Sequence, residues 1–228
     1  MTALEARTLI VRDALLHVTR SRTIRGDVVA ADGVLTQVGS KQQIDLCDGL
    51  VLEASGASVV PILIDSAIDA QGRGTDLELA IGRSAVFVVI RGTVPTSRIG
   101  EMLIVNSRDV LAVVLEDRVV TWDGLVAGPG DPSPNWVGAW TDARRGMTQF
   151  LTQDGRYSET RGGHTDAYTG RFWAHRQWVA YLDDTGFWAF GQKAEGALYH
   201  GGFVLRRTPI RPSLEPFPSK PKRSCTDP

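Results

Sequence analysis

Cysteine is nearly absent from this chain. Cys47 and Cys225 are the only two in 228 residues, and the second falls in a polar tail, so neither a disulfide framework nor a cysteine zinc site is supported. An excess of one charge sign is lacking too. With 25 basic and 26 acidic side chains the formal net charge is -1, so no overall field draws a polyanion or an anionic lipid surface, and neither nucleic acid nor membrane is expected as a partner. No apolar run approaches the roughly 18 residues of a spanning helix. The start, Met1-Thr2-Ala3-Leu4-Glu5-Ala6-Arg7, lacks the basic-then-apolar order of a signal peptide, and a cytoplasmic location is expected. The four histidines, His17, His164, His175 and His200, have no metal-ligand spacing, so no metal and no cofactor is expected.

Strand chemistry is abundant. From Thr8 to Val60 apolar and β-branched residues alternate with polar ones, and Asp32-Gly33 between Ile24–Ala31 and Val34–Val38 has the residues of a tight primed hairpin turn. Helix formers between Ile64 and Gly82, interrupted by Gly72 and Gly74, predict a short helix and a turn. Ala85–Ile90 and Leu111–Leu115 predict buried strands. The run Ala127–Pro134 packs Gly, Pro and Ser together, as a linker does. Beyond it lie five of the six tryptophans and turn signals at even spacing, which predict a small closed or sandwiched antiparallel sheet. The expected organisation is residues 1–126, a linker at 127–134, a second domain at 135–208 and a loose tail at 209–228.

Thr8–Ala14, Gly26–Val29, the Asp32-Gly33 hairpin and Val59-Val60-Pro61-Ile62-Leu63-Ile64-Asp65 together resemble the opening of the amidohydrolase superfamily, in which a small β-sandwich precedes a catalytic (β/α)8 barrel. The resemblance places a metal-binding His-x-His pair where this chain carries Ala67 and Asp69. A divalent catalytic site needs several fixed ligands, and a barrel of that kind takes about 250 residues. The resemblance therefore implies a sandwich with its catalytic insert deleted, not a metal-dependent hydrolase.

In the second half Gly138-x-Trp140 suits the floor of a small barrel, with Arg206 or Arg207 as the arginine of the last strand. Asp154–Gly162, Ala167–Gly170, Tyr181–Phe187 and Leu198–Gly202 resemble the Atu4866-type family of streptavidin-like single domains, over about Trp136 to Arg207. The combined expectation is an all-β chain, a β-sandwich followed by a streptavidin-like or calycin-like antiparallel β-barrel. The resemblance implies a ligand cavity and fixes no reaction.

Strand alternation, with inward directions assumed from that resemblance, brings Asp183, Asp184, His200 and Tyr181 forward as catalytic candidates. It brings Arg156, Tyr157, Glu159, Arg161, Tyr168, Phe187, Trp188 and Tyr199 forward as ligand-binding ones. An aspartate could serve as base, a tyrosine or His200 as acid and Arg156 as anion partner. Blander readings stand beside these: Asp183-Asp184-Thr185-Gly186 as a plain turn, Glu159 with Arg161 as a surface cross-strand pair, and Trp173, Trp178 and Trp188 as core and interface. The leading functional expectation is binding of a small, partly apolar or aromatic organic molecule. The alternatives are a cofactor-independent isomerase, cyclase or lyase of specialised metabolism in the same cavity, and a structural protein whose barrel is filled by its own aromatics. A homodimer is compatible with each.

Overall fold

A computed structural model describes residues 4–5, 7–19, 21–39, 49–62, 78–101, 104–129 and 132–208. These residues form strands and two short 3-10 turns, Thr96–Glu101 and Ser107–Asp109. None of their helices is long and apolar enough to cross a membrane. Cys47, Asp65, Ala67, Asp69, Cys225 and the expected tail lie outside the described residues, as does most of the expected helix. Its last part, 78–82, is irregular chain entering a turn.

The first sheet contains β1 (Leu4–Glu5), β2 (Thr8–His17), β3 (Thr23–Ala31), β4 (Val34–Gly39), β5 (Leu50–Glu53), β6 (Ala57–Pro61) and β7 (Val86–Arg91). After β8 (Ile104–Asn106), which lies elsewhere, it adds β9 (Val110–Leu115), β10 (Arg118–Trp122) and β11 (Leu125–Val126). The expected hairpin is present. Asp32 and Gly33 take φ of 48° and 81°, and Ala31 pairs with Val34 across a two-residue loop. Asp13, at φ 54°, breaks the ladder of β2, so that its first part pairs with β5 and its last part with β6. The sheet curls. A bridge between Val34 and Ser84 ties β4 back to the segment before β7, around a core that includes Leu9, Leu16, Leu35 and Phe87.

The second sheet is made of β12 (Gly138–Asp142), β13 (Met147–Leu151), β14 (Arg156–Arg161), β15 (His164–His175), β16 (Trp178–Asp183), β17 (Phe187–Ala194), β18 (Ala197–His200) and β19 (Phe203–Arg207). Each strand pairs antiparallel with the next, and β19 returns to β12, which closes an eight-stranded barrel. Alternation divides its aromatics between two cores. Trp140, Tyr157, Phe172 and Tyr181 fill the inside. Trp173, Trp178, Trp188 and Phe190 join Val88, Val113 and Leu115 of the first sheet in one continuous cluster. Burying a large apolar side chain is worth roughly 2–3 kcal/mol, so this cluster fastens the barrel to the sheet.

Among the described residues, the segment between β7 and β9 does not join the first sheet. Ile104–Asn106 pairs instead with the barrel: Asn106, Val105 and Ile104 lie opposite Phe187, Trp188 and Ala189. β18 is short and pairs with β17 only from Gly191 onward, so the first part of β17 is left with a free edge. Covering that edge satisfies its backbone groups, a long-range outcome that local alternation does not reveal.

Candidate functional site

The turns joining β12 to β13, β14 to β15, β16 to β17 and β18 to β19 all lie at one end of the barrel, and a cavity of about 400 Å³ opens there. Its residues come from six places. β14 supplies Tyr157, Glu159 and Arg161, β15 supplies Tyr168, and β16 with its turn supplies Asp183 and Thr185. β17 adds Phe187, Ala189 and Phe190, the β18 end adds His200 and Gly201, and β8 adds Ile104. The Tyr157-x-Glu159-x-Arg161 spacing works because residues two apart share a strand face. The opposite end is closed. There Trp140 Nε1 donates to the carbonyl of Trp136 at 2.8 Å, and Arg207, not Arg206, is the arginine at Gly138, donating to the carbonyl of Val137 at 2.7 Å.

The floor is a chain of hydrogen bonds that ends on one carboxylate. Tyr181 Oη donates to Gln149 Oε1 at 2.8 Å, and Gln149 Nε2 donates to Glu159 Oε1 at 2.9 Å. Arg161 Nε donates to Glu159 Oε2 at 2.8 Å. His200 Nε2 stands 3.4 Å from Glu159 Oε1, while its Nδ1 lies 3.0 Å from the carbonyl of Phe190. Donors thus converge on a group that only accepts when ionised. Burial works to raise the Glu159 carboxyl, but the hydrogen bonds and charges of His200 and Arg161 outweigh it and hold it below its ordinary range. The Tyr157 phenol is pushed up by burial and by Glu159, Asp183 and Asp184, so it remains a protonated donor at the wall. Tyr181, fully buried, is raised well above the ordinary phenol value for the same reason, burial first.

Several expected residues lie elsewhere. Trp188 and Tyr199 do not line the cavity, because alternation turns them outward into the cluster shared with the first sheet. Arg156 and Asp184 also lie outside it, joined to each other on the surface at 2.7 and 3.0 Å. Tyr181 sits beneath the floor, its ring 4.5 Å from that of His200. Asp183 does line the cavity while building a turn, its Oδ1 accepting from the amides of Thr185 and Phe187, each at 2.9 Å. Glu159 with Arg161 is not a surface pair, since the carboxylate is 2% exposed. Sequence reasoning missed Gln149, although Met147-x-Gln149-x-Leu151 alternation points it inward. It also missed Ile104, for which the sequence carries no local signal.

Among the described residues, one group has the donors for a cation: Glu116, Asp117 and His175, with ligating atoms within 4.8 Å of one another. Its chemistry is that of an ion-pair cluster between the halves. His175 Nε2 bonds Asp117 at 2.6 Å, and Arg176 lies 2.8 Å from Glu116 and 3.5 Å from Asp117, so a guanidinium already occupies the carboxylates.

Fold and site together define a small up-and-down β-barrel, closed at one end by tryptophans and open at the other on a cavity with a buried charged floor. Residues 133–207 match the family described as Agrobacterium tumefaciens protein Atu4866. The solution structure of the protein Atu4866 from Agrobacterium tumefaciens is 38% identical, over 34% of this chain and 96% of that one, with a TM-score of 0.30. No curated protein matches the chain.

Proposed function

We propose that the barrel binds a small, partly apolar or aromatic molecule in this cavity, and that the first half acts as a structural partner that supplies part of its wall. The observation that carries the reading is a ring of exposed apolar side chains around a polar floor. Ile104, Tyr168 and Phe187 are 62%, 45% and 38% exposed, yet they gather at one mouth above Glu159, Arg161 and His200. Apolar rims around a few convergent polar groups are what small-molecule sites present, and the volume falls within the roughly 300–1,000 Å³ of such sites. The test is titration with the neutral fluorophore N-phenyl-1-naphthylamine. Saturable one-to-one binding that weakens at least about ten-fold in Ile104→Arg supports the reading, because a charge at the rim must be desolvated. No saturable binding, with native mass spectra of protein from its producer showing only the bare chain, would remove it.

A second reading uses the same cavity for cofactor-independent acid–base chemistry, as an isomerase, cyclase or lyase. It is favoured by His200, which lines the cavity with its ring held between a backbone carbonyl and Glu159; such partners fix the orientation of an imidazole, the commonest acid–base group. Loss of turnover in His200→Ala with fluorophore binding retained would select this reading. For the first half, the amidohydrolase-like pattern with Ala67 and Asp69 in the histidine positions supports support or dimerisation in place of metal hydrolysis. Stoichiometric zinc or iron on elemental analysis, with activity lost on chelation, would reverse that.

A further inference from the structure

A second opening of about 880 Å³ lies against the outside of the β12–β19 seam, lined by Arg144, Arg145, Arg206 and Arg207. In a chain whose total charge is -1, the guanidinium groups of Arg144, Arg145 and Arg206 along one groove are a strong local concentration of positive charge, while Arg207 turns its guanidinium away to Gly138 at the closed end. None of the four has an acidic side-chain partner among the described residues. Arg145 donates to the carbonyl of Gly202 and Arg207 to that of Val137, which fixes these two guanidinium groups while leaving their positive charge unneutralised. The carboxylate of the groove, Asp142, is 8% exposed and is already engaged by backbone amides. It accepts from Arg144 and Arg145 at 3.1 and 3.2 Å and from Val204 at 3.2 Å.

The groove adjoins the cavity. One turn separates them, with Gly201 lining the cavity and Gly202 the groove. The next residue, Phe203, has the Arg145 guanidinium 4.4 Å and the Arg161 guanidinium 5.2 Å from its ring centroid. A cation of the groove and a cation of the cavity thus share one aromatic ring. From this juxtaposition we propose that the ligand is an amphipathic anion: its apolar or aromatic body enters the barrel, and an acidic group, carboxylate or phosphate, crosses the Gly201-Gly202 turn to the guanidinium groups of Arg144, Arg145 and Arg206. Guanidinium is suited to both acids because its planar donors match their oxygens. This rests on the cavity-binding reading and adds the chemistry of the far end.

The test compares two probes that differ by one charge, 11-(dansylamino)undecanoic acid and its methyl ester, by dansyl emission at low ionic strength. The acid is expected to bind on the order of ten-fold more tightly than the ester, since several partly exposed ion pairs each add a small factor. The double variant Arg144→Ala/Arg206→Ala should bring the acid to the affinity of the ester and leave the ester unchanged. Inorganic pyrophosphate should compete with the acid and not with the ester, and 1 M salt should remove the preference. Equal binding of acid and ester, or an acid preference that survives the double variant, would overturn the proposal. Pyrophosphate alone, followed by the amide resonances of Arg144, Arg145 and Arg206, separates the two failures. Shifts there without binding of either dansyl probe would overturn the cavity reading and the amphipathic ligand with it, leaving a groove for inorganic or phosphoryl anions. Absence of both would overturn everything proposed for this end of the barrel.

Discussion

Glu159 and His200 approach one another at 3.4 Å from strands β14 and β18, on opposite sides of the cavity floor, with Arg161 completing the set at 2.7 Å. The arrangement turns a buried carboxylate into the acceptor for three different side chains. A group whose carboxyl is held below its ordinary 4.5 contributes stability that is present above that value and is lost as pH falls through the folded one. Glu159→Gln should therefore destabilise the protein at pH 7 by about 1–3 kcal/mol, since Arg161 loses its counter-charge and His200 its carboxylate partner. The deficit should shrink below pH 4. Urea midpoints of both proteins at pH 7 and pH 3.5 check this, and an equal deficit at both values would show that the carboxylate charge is immaterial.

Arg156 and Asp184 look similar on paper and behave differently. Their side chains are 44% and 50% exposed, so solvent screens the pair, and Asp184→Asn should cost no more than about 1 kcal/mol at pH 7. The hydrogen bond from Arg156, and then that from Thr169, lower the Asp184 carboxyl from 3.8 to about 2. Its small contribution is thus full above pH 4 and disappears between pH 4 and pH 2. Titration of the Asp184 side-chain carbon resonance should place its midpoint near pH 2, and a midpoint near 4 would mean that the pair does not persist in solution.

Gly170 tests the close packing of the barrel wall. A Cβ there would lie 2.3 Å from the Leu182 carbonyl oxygen and 2.7 Å from the Tyr157 ring, and backbone on the neighbouring strand cannot step aside as a side-chain tip can. Gly170→Ala should cost about 1–3 kcal/mol as overpacking. A Tm within error of the parent would show that the β15–β16 ladder is looser than its hydrogen bonds indicate. Gly146, which has open space around its Cβ position but a φ of 60°, provides the contrast: its substitution by Ala carries only the cost of the left-handed backbone, about 1 kcal/mol.

Legibility in the sequence followed the range of the interactions. The Asp32-Gly33 hairpin was readable because two adjacent residues determine it, and Tyr157, Glu159 and Arg161 were readable as a set because strand alternation is local. Alternation gives two faces without saying which is inside. Trp188 and Tyr199 were therefore assigned to the cavity, whereas they cover the surface that the first sheet buries. Ile104 depended on a partner 85 positions away in the chain, Ala189 lying opposite it across the β8–β17 ladder, and no residue near it signals that pairing. Glu159 read equally well as a surface partner of Arg161. Only the convergence of Gln149, Tyr181 and His200 from three other strands makes it the buried centre of the floor.

The attachment of the first half to the barrel yields the remaining prediction. Trp188 is 1% exposed, its ring 5.3 Å from that of Trp173, and its backbone pairs with Val105 of β8. Trp188→Ala removes the centre of the shared cluster and should cost about 3–5 kcal/mol. The loss should be felt first where the two halves meet. Docking of β8 depends on the cluster, so the amides of the β8–β17 ladder should exchange faster than those of β13 and β14 on the far wall. With β8 loosened, Ile104 leaves the mouth, and N-phenyl-1-naphthylamine should bind more weakly although no residue of the cavity has been changed. Hydrogen exchange and fluorophore titration on the same sample decide the matter. Uniform loss of protection through the whole chain, with unchanged fluorophore affinity, would mean that the first half holds the barrel up without shaping its cavity.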